Sequence, residues 1–163
     1  VALVFEGIMF FVFLFVRKDL VHLGTLAWCF LIGPFENLWL GILDPILPVA
    51  SEMSVGLKIV CILLGSAIII VTLAYYIPIG LGYQTSDIFA FIAADIVKKS
   101  YGIGLIISYA ILFVIGVALG SSWGIGTLIA VVAYGPIIDR LMVIFEPFSF
   151  AVSGMTKEDK KGK

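Results

Sequence analysis

Long apolar runs alternate with short clusters of charge, glycine and proline along this chain. About 20 mostly apolar residues suffice for a helix to cross the hydrocarbon of a bilayer. Five runs qualify as candidate spans. Val1–Val16 ends at Arg17-Lys18-Asp19 and reads as the tail of a span. Thr25–Leu43 is closed by Asp44-Pro45 and Pro48, and the β-branched run Leu57–Ile77 by Pro78 and Gly80. Ile103–Leu119 ends at Gly120-Ser121-Ser122, and Gly126–Phe145 ends at Glu146-Pro147. A sixth segment, Ser86–Val97, has about a dozen residues and is too short to span at 1.5 Å per residue. Thr85 or Ser86 is its expected N-cap and Lys98-Lys99 follow its end, so a re-entrant or interfacial helix is expected there.

Composition turns these runs into a class. The chain is 62% hydrophobic and 13% charged, with a mean hydropathy of +1.20. Six of its 21 charged residues fall in the last seven positions, Lys157–Lys163. Too few remain to cover the surface of a soluble domain. The expected fold is therefore an all-α transmembrane helix bundle of five spans plus one short helix. It occupies residues 1–156 as a single domain, followed by a charged tail at 157–163, and lies in direct contact with the lipid bilayer. A net charge of −1 with no basic stripe leaves nucleic-acid binding without an electrostatic footprint. Cys29 and Cys61 lie far apart in apolar runs and do not suggest a disulfide framework, and His22, the single histidine, has no ligand partner at metal-binding spacing. No cofactor motif and no catalytic constellation is visible, so an enzyme is not expected. Gly102-Ile-Gly104 and Gly124-Ile-Gly126 lack the βαβ context of a nucleotide fingerprint.

Charge placement sets the expected sidedness. If Ser86–Val97 does not cross, Arg17-Lys18, Lys98-Lys99 and the tail lysines share one side, and Lys58 is the lone basic residue opposite. The excess of Lys and Arg on cytoplasmic loops favours that arrangement and places the C-terminus in the cytoplasm.

The chain also matches itself at an offset of 102 residues. Gly24-Thr25-Leu26 aligns with Gly126-Thr127-Leu128, Gly33-Pro34 with Gly135-Pro136, Ile42 with Ile144 and Pro45 with Pro147, which makes seven identities over 22 positions. Asn37 faces Asp139 in this register. Repeat one covers 1–56 and repeat two 57–156. Three spans and a short helix per repeat give the two copies opposite orientations, an inverted repeat. Repeat one lacks counterparts of Leu57–Gly102, so about 45–55 further residues, with a sixth span and a second glycine-rich turn, are expected ahead of Val1.

Several motifs then carry a resemblance. Gly80-Leu-Gly-Tyr-Gln-Thr-Ser-Asp87, Tyr101-Gly-Ile-Gly104, Gly124-Ile-Gly-Thr127 and Gly135-Pro-Ile-Ile-Asp139 resemble the bacterial YczE/YyaS/YitT membrane proteins over about Ile77–Met142. The resemblance implies a small multi-pass protein of the bacterial inner membrane, with about six helices and transport as the conjectured activity.

Candidate chemistry concentrates where charge meets a broken helix. Asp139 and Arg140 lie inside the last span, where an ionisable residue is costly and a functional candidate. Arg140 has a structural explanation in snorkelling, and Asp139 in pairing within the bundle. Pro34 and Pro136 each free the carbonyl four residues earlier, that of Phe30 or Val132, and Asn37 and Asp139 follow three residues on. Broken helices at matching positions of inverted repeats point to a transporter site, although Gly-Pro also serves simply to kink a helix. Asp87 opens the short helix behind Thr85; a carboxylate there complements the helix dipole without any ligand, or meets a polar one. Glu6 and Glu36 lie inside spans, lining a cavity or pairing with Arg140. Gly116-x-x-x-Gly120 and Ala90-x-x-x-Ala94 suggest close helix packing. The expected function is a permease for a small polar or cationic solute or ion, bound at Asp139, the Val132 carbonyl, Asn37, Asp87 and Thr85. The second reading is a membrane scaffold or regulatory partner, in contact with another membrane protein or with copies of itself.

Overall fold

A computed structural model describes residues 2–49 and 52–154, with side chains from Glu6 onward. The charged tail expected at 157–163 lies outside the described residues. Six α-helices follow one another: α1 (Ala2–Val16), α2 (Leu23–Leu43), α3 (Val55–Tyr76), α4 (Thr85–Val97), α5 (Tyr101–Ala118) and α6 (Ile125–Ser153). A 3-10 turn at Ile77–Ile79 extends α3, and the described residues contain no strand. Four segments are long and apolar enough to cross a membrane: Leu23–Leu43, Val55–Ile79, Tyr101–Ala118 and Ile125–Ser153. Their side chains are largely exposed, with at most 28% of any 18-residue window buried. Apolar helices with apolar exteriors are stable only in lipid. The chain is a multi-pass integral membrane protein.

The expected boundaries hold to within a few residues except at the end of α6. α1, at 15 residues, is only about 22 Å long and falls short of the hydrocarbon thickness. α6 runs on through Pro147, where a stop was expected, to Ser153. Proline costs one amide donor, but tertiary contacts hold this turn. Ser149 is fully buried, with its hydroxyl oxygen 2.6 Å from the Tyr75 carbonyl and 3.0 Å from that of Phe145, and Phe150 is buried beside it.

The residues form two compact units, one drawn from 1–65 and 81–85, the other from 66–80 and 86–163. In the first, α1 packs on α2 and buries Phe13 and Cys29, whose thiol reaches the Glu6 carbonyl at 3.8 Å. The turn Leu81–Tyr83 lies against the start of α2. In the second unit α5 packs on α6, around a core that includes Ile88, Leu105 and Ile138, none of them accessible.

Small residues bring helices close in this second unit. A Cβ at Gly104 would lie 2.0 Å from the Ala90 carbonyl oxygen and 2.8 Å from the Ala94 Cβ, so the Ala90/Ala94 stripe is a packing surface for α5, as expected. Gly102 and Gly135 meet in the same way, each within 2.3 Å of the other's carbonyl oxygen if given a Cβ. Gly116 and Gly120 differ from expectation. A Cβ at Gly116 would touch only Ser121, and none lies near Gly120. These two glycines end α5: the Ser121 amide donates to the Gly116 carbonyl (2.9 Å), the Gly120 amide donates to that of Val117 (3.0 Å), and Gly120 takes φ +82°. That is a Schellman motif, which needs a glycine for the left-handed residue.

Candidate functional site

The first turn of α5 gathers both candidate carboxylates of the second unit. Asp87, third residue of α4, is 1% exposed, and the phenol hydroxyls of Tyr76 at the end of α3 and Tyr101 at the start of α5 donate to its two oxygens, the latter at 2.9 Å. Asp139, half-buried on α6, accepts from the backbone amide of the next residue, Gly102, at 2.8 Å. The amides of the first helical turn have no partner within their own helix. Asp139 therefore satisfies one of them from a neighbouring helix, with its charge at the positive end of the α5 dipole. The close Gly102–Gly135 approach is what lets a side chain one turn further along α6 reach that amide.

Asp87 is held differently. Two tyrosines supply hydroxyl donors, and its place in the first turn of α4 adds the helix dipole. Hydrogen bonds to a carboxylate stabilise its charged form, whereas burial opposes it. Phe91 stacks on the Tyr101 ring at 4.8 Å between centroids and helps fix it. Among the described residues, no cluster of three potential metal ligands occurs.

The remaining candidates scatter. Thr85, 2% exposed, donates its hydroxyl to the Glu6 carboxylate instead of capping α4, and is itself the first helical residue. The sequence left Glu6 open between a cavity and Arg140; this contact gives it a described partner in Thr85. Asn37 and Glu36 are exposed on α2, and the Val132 side chain is 66% exposed on α6. Arg140 is exposed, as snorkelling requires. The sequence reading missed Tyr76 and Tyr101. Tyr101 stood inside one of the motifs noted above, but nothing in the spacing aims either phenol at Asp87.

A cavity of about 370 Å³ lies away from these carboxylates, between the later turns of α5 and the first turns of α6. Phe113, Trp123 and Val131 make it mostly apolar, and Thr127 contributes to its lining.

The model of a family of unknown function, DUF6198, matches residues 1–143. No curated protein and no solved structure matches the chain.

Proposed function

The chain belongs to the family DUF6198, and from the setting of Asp87 we propose a transporter-like permease for a small polar or cationic solute rather than an enzyme. The observation that carries it is a fully buried carboxylate, gripped by two tyrosine hydroxyls, at the start of a helix too short to span. Intramembrane carboxylates mark ion pathways and proton relays. Asp87 is the group that takes up the coupling proton or cation, and protonation weakens its two phenol contacts. Asp139 takes the lesser part of holding α5. In the same unit, the Val132 carbonyl four residues before Pro136 stands as a further contact of the solute.

The 102-residue repeat supports this reading. α2 starts at Leu23 and α6 at Ile125, 102 residues apart, each containing the aligned proline, Pro34 or Pro136. Both starts are built alike. The Thr25 hydroxyl oxygen accepts from the His22 amide (3.3 Å), and that of Thr127 accepts from the Gly124 amide (3.4 Å). On this reading α1 is part of a fifth span, α4 is re-entrant, and the bundle lies in a bacterial inner membrane with the C-terminus in the cytoplasm. The relation to the YczE/YyaS/YitT proteins that the chain's motifs suggest belongs to this proposal.

Reconstituted protein on a solid-supported membrane tests the proposal. Concentration jumps of methylammonium, choline and glycine under an inward proton gradient are expected to give a current with at least one solute, abolished by Asp87→Asn. Silence with all three, or a current untouched by Asp87→Asn, overturns it. The second reading, a scaffold or regulatory partner, is favoured by one observation: the cavity is apolar and lies at Trp123, away from Asp87. Stoichiometric co-purification of one membrane protein, with no solute current, would select it.

A further inference from the structure

The end of α4 keeps a cation where glycine is the usual choice. The Lys99 amide donates to the Ala94 carbonyl (3.0 Å) and the Lys98 amide to that of Asp95 (3.3 Å), the paired bonds of a Schellman motif. Lys98 is its left-handed residue, at φ +54°, and no other described residue apart from glycines has a positive φ. A side chain in that conformation is strained, and strained residues concentrate where a ligand is gripped. The negative end of the α4 dipole is served by Lys99 alone, without a side chain at the strained position. Both lysines are exposed.

A third cation stands nearby in the same unit. The Gly102 amide, three residues after Lys99, donates to Asp139, and Arg140 follows Asp139 directly on α6. Ile138 is fully buried and Asp139 is engaged by α5, which leaves Arg140 on the outer face of α6. Its neighbours one turn away, Ile137, Val143 and Ile144, are exposed apolar residues. An arginine on such a face lays its stem along the apolar surface and carries its charge to the headgroups. Among the described residues, none of the three cations is in an ion pair.

We infer that Lys98, Lys99 and Arg140 together hold the phosphate of an anionic phospholipid headgroup beside the α4–α5 turn. Charge complementarity selects the ligand. Three cations lie outside any described ion pair, and the exposed side chains around Arg140 suit acyl chains. A guanidinium offers phosphate two parallel hydrogen bonds, and the lysines add point charges. A zwitterionic lipid brings its own cation, which competes with them. The inference concerns lipid recognition and holds equally for a permease and for a scaffold.

Native mass spectrometry of the delipidated protein in neutral detergent tests it, with short-chain phosphatidylglycerol, phosphatidylcholine and glycerol phosphate as probes. The first phosphatidylglycerol is expected to bind at least tenfold more tightly than phosphatidylcholine. Lys98→Gln, Lys99→Gln and Arg140→Gln should each weaken it about fivefold, the equivalent of about 1 kcal/mol per cation near a membrane surface. Lys18→Gln, an exposed cation of the other unit, should leave it unchanged. Lys98→Gly separates lipid binding from folding: relief of the left-handed lysine should raise the lipid-free melting temperature while phosphatidylglycerol still binds about fivefold more weakly. Equal affinity for the two lipids, or unchanged phosphatidylglycerol binding in the three glutamine variants, overturns the inference. So does an equal loss with Lys18→Gln, which would mean diffuse attraction, and so does equally tight glycerol phosphate, which would assign the cations to a soluble ligand.

Discussion

A carboxylate away from water survives only by what donates to it, and the two aspartates of the second unit show two solutions. Asp139 accepts from a helix-end amide, which an asparagine oxygen can also do. Asp139→Ala is therefore expected to destabilise the protein by about 1–2 kcal/mol, the cost of losing a cap, and Asp139→Asn by clearly less. Thermal melting in detergent checks both, and equal losses would show that charge rather than the cap matters. Asp87 depends on phenols. Tyr101→Phe removes a hydrogen bond to a carboxylate, with an expected loss of roughly 1.5–3 kcal/mol at pH 7; an unchanged melt would refute the pairing. At the exposed α1–α2 turn, the hydrogen bond from Arg17 to Asp19 holds its carboxyl below the usual range. A depressed value stabilises above the unfolded pKa and is lost as pH falls through the folded one. The pair is exposed, so the effect is at most about 1 kcal/mol. Arg17→Met should therefore shift melting slightly at pH 7 and not at pH 2. The sequence named both aspartates, buried Asp87 and half-buried Asp139, because charge inside an apolar run is visible in one dimension. It could not name Tyr76 and Tyr101, which lie 11 and 14 residues from Asp87, because tyrosine suits a membrane-exposed face equally well and only the fold aims its hydroxyl.

Helix elements were legible because apolar length and its interruptions decide them. The 13-residue α4 stands out between longer neighbours for the same reason. Small-residue spacing was less informative, since Ala90/Ala94 and Gly116/Gly120 share one pattern and serve different ends. A Cβ at Gly104 has no space against the Ala90 backbone, whereas one at Gly116 meets only the Ser121 side chain at 3.7 Å. Gly104→Ala is thus expected to cost 1–3 kcal/mol or more through overpacking, at about the upper end because backbone must move. Gly116→Ala should be neutral or gain up to about 1 kcal/mol from helix propensity. Melting of the two variants side by side checks the contrast; equal losses would mean that α5 packs elsewhere along its length. The run of α6 past Pro147 was illegible for a related reason. Proline signals a stop locally, and only the buried Ser149 and Phe150 override it.

For the whole molecule, glycine and proline register says more than hydropathy does. Apolar residues interchange freely between spans, so their alignment carries little information, whereas a helix start that needs Gly-Thr and a break that needs Gly-Pro are fixed by backbone geometry. Those positions recur at 102 residues and coincide with matching helix starts at Leu23 and Ile125. The proposed inverted arrangement turns this into a statement about sides. The Arg17-Lys18 turn precedes α2, and the uncharged Ser121–Gly124 turn precedes α6; equivalent turns of inverted halves must face opposite compartments. On that proposal the positive-inside rule puts the basic turn in the cytoplasm and Ser121 and Ser122 outside. Single cysteines at Lys18 and Ser122, labelled in intact cells with a membrane-impermeant maleimide, check this. Ser122→Cys should react before lysis and Lys18→Cys only after it. Because Lys18 and Ser122 are both exposed, neither outcome depends on refolding or on which solute moves. Labelling of both from the same side would make the two halves parallel and remove the pseudo-twofold axis on which the permease reading draws.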